Sequence, residues 1–322
     1  MQHYPPPGQL IDVNGYRLHL HCLGQGSPTV VLDSGFGGIS LDWSLVQPEL
    51  ATLTRVCAYD RAGLGWSDKS SSSTSRSSQQ MVTELHTLLA LAQVPGPYVL
   101  VGHSLGALNA RLFTQRYPDE VVGLVMVDAT HEDELSSRFP AEYVQGWYAQ
   151  LPALRLFTRL AQLGVMRLLV RANLLPNAVR RFFAKLPRSV QAAYRTFYAQ
   201  PRSLETLISE MSAMEESYAQ ARAIGIQPNW LAGRPLVVLK HGRHDKLPPR
   251  ASPELMRQYA QAFDAVQAEL ASLSSNSTLL IAEESGHNIP IDQPEAVIRA
   301  IRWVLDQVKS IPVEEAPPRL SV

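Results

Sequence analysis

The segment Tyr98-Val-Leu-Val-Gly-His-Ser-Leu-Gly106 sets a serine between two glycines, after an apolar run and before Ala107-Leu-Asn-Ala-Arg-Leu-Phe113, which reads as a helix. A strand turning sharply into a helix strains the residue at the turn. Gly102 and Gly106 leave room for that turn and push Ser104 out at its tip, beside the free N–H groups of a helix N-terminus. A serine hydroxyl is a poor nucleophile at neutral pH and needs a base within hydrogen-bond reach. His287, in Gly286-His-Asn-Ile-Pro290, titrates in the range where it can take that proton and return it to a leaving group. Asp245, in Gly242-Arg-His-Asp245, can hold the imidazole in one tautomer and stabilise the imidazolium.

These residues need elements that deliver them to one place. Gln9–Val13 and Tyr16–Cys22, joined by Asn14-Gly15, read as a β-hairpin. In its second strand Tyr16, Leu18, Leu20 and Cys22 share one face, and Arg17, His19 and His21 read as an exposed polar face. Thr29–Asp33, Thr54–Tyr59, Tyr98–His103, Val121–Val127, Pro235–Lys240 and Ser277–Ala282 are short apolar runs, as expected of strands covered on both faces. Helical patterns separate them, including about 77–92 with Met81, Leu85, Leu88 and Leu89 on one stripe, about 253–270, and a final helix after Pro294. Seven serines in 70–78 read as a flexible loop, and 309–322 as a loose tail. The alternation predicts a parallel α/β sheet, and each candidate residue then falls at the carboxyl end of a strand, where chemistry concentrates in such sheets.

From about His131 to Gly233 no strand pattern is found. Helical patterns there are broken at Pro152, Gly164, Pro176, Pro187, Pro201 and Gly225. Between Leu151 and Leu204 lie nine arginines, one lysine and no acidic residue, interleaved with Leu, Phe, Val and Met. Such a stretch can cover an apolar pocket or lie weakly on a membrane surface; the plainer reading is a lid whose arginines are its solvated face, since Gly164 and Pro176 interrupt any long membrane-lying helix.

Composition narrows the classes. The chain of 322 residues has 29 basic and 29 acidic side chains, so no overall charge points to nucleic acid. No apolar run of about 18 residues suggests a membrane span, and the first residues lack the apolar core of a signal peptide. A cytoplasmic location is the expectation, with an exported or membrane-associated one as the alternative if a leader has been removed. Two cysteines, Cys22 and Cys57, both in apolar strand patterns, read as buried free thiols.

Taken together, Ser34-Gly-Phe-Gly-Gly38, Asp60-Arg-Ala-Gly-Leu-Gly-Trp-Ser67, Gly102–Gly106, Gly242–Asp245 and Gly286-His287 with Pro294 resemble the α/β-hydrolase superfamily, in order and over nearly the whole chain. The resemblance implies a mostly parallel eight-stranded sheet with helices on both faces, a core of residues 1–130 and 234–322, and a helical cap of residues 131–233 inserted between the sixth and seventh strands. It implies Ser104, Asp245 and His287 as catalytic residues, with Asp128 as an alternative acid, because some members take theirs after the sixth strand. It implies an oxyanion hole from the backbone N–H groups of Leu105 and Phe36, with Gly37 as a rival to Phe36. It implies no cofactor and no metal.

The departure from the superfamily pattern is Ser34-Gly35 where His-Gly often stands. His103 reads as packing in the elbow; His241 and His244 sit on the wrong strand to be the base. Asp60 and Arg61 read as a salt bridge that braces the loop above the site, and His131-Glu-Asp-Glu134 as a polar helix start rather than a metal site. The expected activity is hydrolysis of a small, largely apolar carboxylic ester through an acyl-enzyme. The alternatives are an aminopeptidase-like amidase, for which Glu205, Glu210, Glu215 and Glu216 would grip an amine, or a carbon–carbon bond hydrolase. Epoxide hydrolase and dehalogenase chemistry would need a carboxylate at position 104.

Overall fold

A computed structural model describes residues 4–70, 75–225, 227–243 and 251–310. Eight strands form one sheet: β1 (Gln9–Asp12), β2 (Arg17–Leu23), β3 (Thr29–Asp33), β4 (Val56–Tyr59), β5 (Tyr98–His103), β6 (Val121–Val127), β7 (Leu236–His241) and β8 (Ser277–Ala282). Their spatial order is β1-β2-β4-β3-β5-β6-β7-β8. β1 and β2 pair antiparallel and β2 joins β4 antiparallel; the remaining neighbours are parallel. Asn14 and Gly15 both adopt positive φ, as a two-residue hairpin turn demands.

Helices fill the connections: α1 (Gln47–Leu50), α2 (Ser78–Leu91), α3 (Leu105–Arg116), α4 (Ala141–Tyr148), α5 (Gln150–Gln162), α6 (Val165–Arg171), α7 (Asn177–Lys185), α8 (Arg188–Tyr198), α9 (Pro201–Ser212), α10 (Met214–Ile224), α11 (Pro253–Ala271), α12 (Ile289–Asp292) and α13 (Pro294–Ser310). The inner strands are apolar without alternation because helices cover both faces. Val31 and Leu100 pack with α2 and α3 residues such as Leu88 and Leu108, while Val30, Leu32, Val99 and Val101 pack on the opposite side with Trp43 and with Val297 and Ile301 of α13.

The segment between β6 and β7 is helical, α4 to α10, and its breaks fall where Gly164, Pro176, Pro187, Pro201 and Gly225 stand. Two breaks have no glycine or proline: α4 and α5 meet at Ala149, with Pro152 inside the first turn of α5 rather than at a break, and α9 and α10 meet at Ala213. The segment is not uniform. Met166, Val170, Phe183 and Leu186 form a small core of their own, whereas Met214, Tyr218 and Ala221 of α10 belong to the main core beside α2 and α3.

Two expectations are corrected. Cys22 and Cys57 are joined in a disulfide rather than standing as free thiols. The cause is register: β2 runs antiparallel to β4 and sets the two residues directly opposite each other, with Cα atoms 4.0 Å apart. His19 is fully buried rather than exposed, because β2 lies inside the sheet and the loop after β4 covers its outer face. The His19 ring packs against Trp66, and its Nδ1 lies 2.9 Å from Asp60 Oδ2. Part of the serine-rich loop, 71–74, the tail beyond 310, and His244 and Asp245 lie outside the described residues. Among the described residues no helix is long and apolar enough to cross a membrane.

Candidate active site

Ser104 stands between β5 and α3 with φ 53° and ψ −116°, a conformation L-residues rarely adopt. The flanking glycines permit it by close approach. A Cβ on Gly102 would lie 2.2 Å from Gly106 O, and one on Gly106 would lie 2.3 Å from Asp33 O. No larger residue fits either position, which is why the pattern is Gly-x-Ser-x-Gly. The Ser104 amide donates to Val127 O and the Thr130 amide donates to Ser104 O, so backbone bonds fix the turn on both sides. Its hydroxyl lies 3.3 Å from Thr130 Oγ1.

His287 follows β8, and its Nδ1 lies 2.5 Å from Asp128 Oδ2. Asp128, directly after β6, is fully buried with φ 45°. Its other oxygen accepts from the His241 amide at 2.9 Å and from His241 Nδ1 at 2.7 Å. Burial alone would raise this carboxyl, but the hydrogen bonds from His241 and His287, with their charge, outweigh it and hold Asp128 well below the usual carboxylate range. An ionised carboxylate only accepts, so the proton of His287 sits on Nδ1 and the lone pair on Nε2. His103 Nε2 bonds the His287 carbonyl at 2.8 Å, which anchors the loop carrying the imidazole. Ser104, His103 and His287 all line one cavity of about 560 Å³.

The loop after β3 closes the other side. Gly37 donates its amide to Glu210 Oε2 at 2.9 Å, so that N–H is already engaged. Arg61 ties the loop down. Its guanidinium donates to Ser34 O and Gly35 O at 2.6 Å each, to Asp33 Oδ1 at 3.0 Å, and to Glu210 Oε1 at 2.8 Å. Burial lowers the Arg61 pKa, but the adjacent Glu210 and Asp33 carboxylates prevail and raise it, so the group stays charged. Asp60 does not pair with Arg61. It accepts from His19, the Ser40 amide and the Trp66 amide. Both residues are braces, as expected, but through separate partners.

Of the residues singled out in the sequence, Ser104, His287 and Asp128 are brought together, with the Leu105 amide at the start of α3 and Phe36 across the cavity. The four acids considered for amine binding are engaged elsewhere: Glu205 with Lys69, Glu210 with Arg61, Glu215 with Tyr148 and Glu216 with Gln220. Residues 131–134 form turns rather than the expected helix start, α4 beginning only at Ala141; there Glu132 pairs with Arg111 and Glu134 accepts from Tyr143. Among the described residues no group of three or more His, Cys, Asp or Glu is arranged to hold a metal ion. His241 and Glu210, both named in the sequence, have partners it did not suggest: Asp128 for His241 and Arg61 for Glu210. His241 carried one usable signal, its place at the end of the strand next to β6; Glu210 carried none.

A second cavity of about 380 Å³ adjoins the first; Phe36, Gly37, Phe182, Tyr194 and Asn288 line both. Its other walls are mostly apolar, including Leu64, Phe183, Phe197 and Leu207.

Comparison with known proteins agrees with this architecture. Residues 30–300 match the Alpha/beta hydrolase family. A protein of Hormonema carpetanum named as a transporter is 26% identical over 94% of this chain and 43% of its own length. The chain spans about a third to a half of the length of the first curated relatives it matches. Among solved structures, a thermophilic esterase from Thermogutta terrifontis superposes with a TM-score of 0.59 at 22% identity, covering 93% of this chain and 97% of that one. The epoxide hydrolase CorEH superposes with a TM-score of 0.64 at 21% identity, covering 93% and 98%. At such identities the likeness shows the fold, which is the α/β-hydrolase fold.

Proposed function

As the chain belongs to the alpha/beta hydrolase family, we propose that it is a serine hydrolase that cleaves carboxylic esters bearing an apolar group. Ser104 is the nucleophile, His287 the general base and Asp128 the acid that orients it. Asp245, the acid expected from the resemblance, lies outside the described residues; the 2.5 Å contact between Asp128 and His287 is the reason to prefer Asp128. The observation that carries the reading is that Ser104 and His287 open on one cavity while a buried carboxylate holds the far nitrogen of that imidazole.

The chemistry runs as follows. His287 Nε2 takes the Ser104 proton as Oγ bonds the acyl carbon, and the carbonyl π pair moves onto oxygen. That oxyanion lies toward the amides of Leu105 and Phe36, at the positive end of α3. Collapse breaks the ester C–O bond, and the departing alkoxide takes the proton from His287. Water then attacks the acyl-enzyme by the same route and releases the carboxylic acid with Ser104 restored.

We read residues 131–233 as a cap over this site, rooted in the core by α10. The apolar second cavity supports an apolar acyl or alcohol group as its occupant. The four acids offered for amine binding line neither cavity, which weakens the amidase alternative in that form, although Glu134 and Glu142 line the first. Serine at position 104 also argues against the epoxide chemistry of one structural neighbour. The Cys22–Cys57 disulfide favours an oxidising compartment, the exported alternative, over the cytoplasm.

The test is Ser104→Ala on p-nitrophenyl esters of increasing chain length. Turnover falls by about 10⁴-fold or more with folding retained, and wild-type rates rise with chain length until the second cavity is filled. A folded Ser104→Ala protein with undiminished turnover would end the proposal.

A further inference from the structure

Surface helices normally turn their apolar residues inward, but α5 and α6, although they bury Ala161, Met166 and Val170, leave several large ones in water. Of the eleven large apolar side chains exposed among the described residues, six fall between 148 and 174. On α5 only Thr158 and Ala161 are buried, while Leu156 and Phe157 are exposed. Leu163, at the turn into α6, is 78% exposed, and Leu168 and Leu174 are 64% and 68% exposed. α5 and α6 pack on each other and join at Gly164, so these side chains lie on two adjoining helices and the turns that flank α6.

Positive charge surrounds them. Arg155, Arg159, Arg167, Arg171, Arg180 and Arg181 are all exposed. None of the six forms an ion pair among the described residues, and residues 151–204 contain no acid to neutralise them. Some exposed arginines elsewhere do hold a carboxylate, Arg17, Arg138 and Arg257 among them, while Arg116, Arg299 and Arg302 also stand without one among the described residues; what sets 151–204 apart is that six such arginines crowd a stretch with no acid.

We propose that this face docks on an anionic lipid surface, with Leu156, Phe157, Leu163, Leu168 and Leu174 entering the interface and the arginines bonding lipid phosphates. The occupant follows from charge complementarity. A two-fold contact between copies of this chain would set arginine against arginine, whereas a bilayer offers both a counter-charge and an apolar layer. The absence of one long helix is no obstacle, because two short helices joined at Gly164 present the apolar side chains together. α7 links the face to the site: Arg180 and Arg181 are exposed on it, while Val179, Phe182 and Phe183 of the same helix line the apolar cavity. Docking would therefore bring that cavity next to the lipid layer. The proposal does not depend on which residue is the nucleophile.

The experiment is flotation of the whole protein with vesicles of phosphatidylcholine alone and of phosphatidylcholine mixed with phosphatidylglycerol. Wild-type protein floats with the mixed vesicles and stays behind with the neutral ones. Arg167→Glu with Arg171→Glu weakens binding by about tenfold or more, and Leu163→Ser with Leu168→Ser also weakens it. Both variants keep wild-type turnover of a water-soluble short-chain ester, which shows that they are folded. Failure of wild-type protein to float with the mixed vesicles overturns the proposal. So does leucine-variant binding equal to wild type, or a concentration-dependent dimer, seen by sedimentation velocity, that the leucine variant abolishes while neither protein binds lipid.

Discussion

The walls around Ser104 and the outer helices α5 and α6 are built on opposite terms. At the site, the buried Asp128 accepts from two imidazoles and an amide, and Arg61 bonds two carbonyls and two carboxylates. On α5 and α6, leucines stand in water and arginines lack carboxylate partners. At the site, backbone bonds also hold Ser104 and Asp128 at positive φ. Saturation at the site fixes distances, which acyl transfer requires. The unsatisfied outer face gains only when something outside the protein meets it.

This contrast is sharpest at the acid. Asp128→Asn should lower kcat by about 10³–10⁴-fold, because an amide no longer dictates which nitrogen of His287 carries the proton. Asp245→Asn should change kcat by less than about threefold. Steady-state kinetics on one ester separates the two, and the reverse ranking would move the acid to the turn after β7. Asp128 stays ionised as pH falls, since its pKa is held low; its contribution to stability is present above the unfolded carboxylate range and is lost only as pH drops through the folded value.

A smaller effect is expected where the two regions meet. Glu210, on α9, is buried and bridges Arg61 to the Gly37 amide. Glu210→Gln leaves the buried Arg61 charge without a carboxylate from that helix and should cost about 3–5 kcal/mol of stability in denaturant titrations. Loosening of the 34–38 loop should lower kcat by up to about 10²-fold. Unchanged kcat in a destabilised variant would confine Glu210 to holding the cap.

The smallest expected effect concerns Asp42, which accepts from Tyr194 of α8 at 2.7 Å and from the Ile39 amide. Burial, only partly offset by these bonds, raises its pKa from 3.8 to about 6. The folded value lies above the unfolded one, so its contribution is full below the unfolded value and is lost as pH rises through about 6. Asp42→Asn should flatten that fall, a difference of roughly 2–3 kcal/mol between acid and neutral pH. Stability curves of the two proteins that run parallel across this range would contradict it.

The turn at Ser104, the proposed nucleophile, was legible because glycines at 102 and 106 are forced by contacts under 3 Å. The strand ends were legible because doubly covered strands are apolar throughout. The acid was harder: Asp128 and Asp245 both follow apolar strands, and what draws Asp128 to His287 is a backbone path at φ 45° and a pairing with His241. Register was hidden as well. Nothing in the two cysteine segments says that Cys22 faces Cys57, nor that β2 is covered so fully that His19 is buried. Glu210 reaches Arg61 over a sequence separation of 149 through the packing of α9, which no local pattern encodes.

The central claim is that Ser104 is made reactive by His287, which Asp128 holds in place. Labelling with a fluorophosphonate, followed by peptide mass spectrometry, tests it most directly. The account predicts one adduct, on Ser104, forming rapidly in the wild type and far more slowly in Asp128→Asn and His287→Ala. An adduct on another residue, or equal labelling rates in all three proteins, would contradict it.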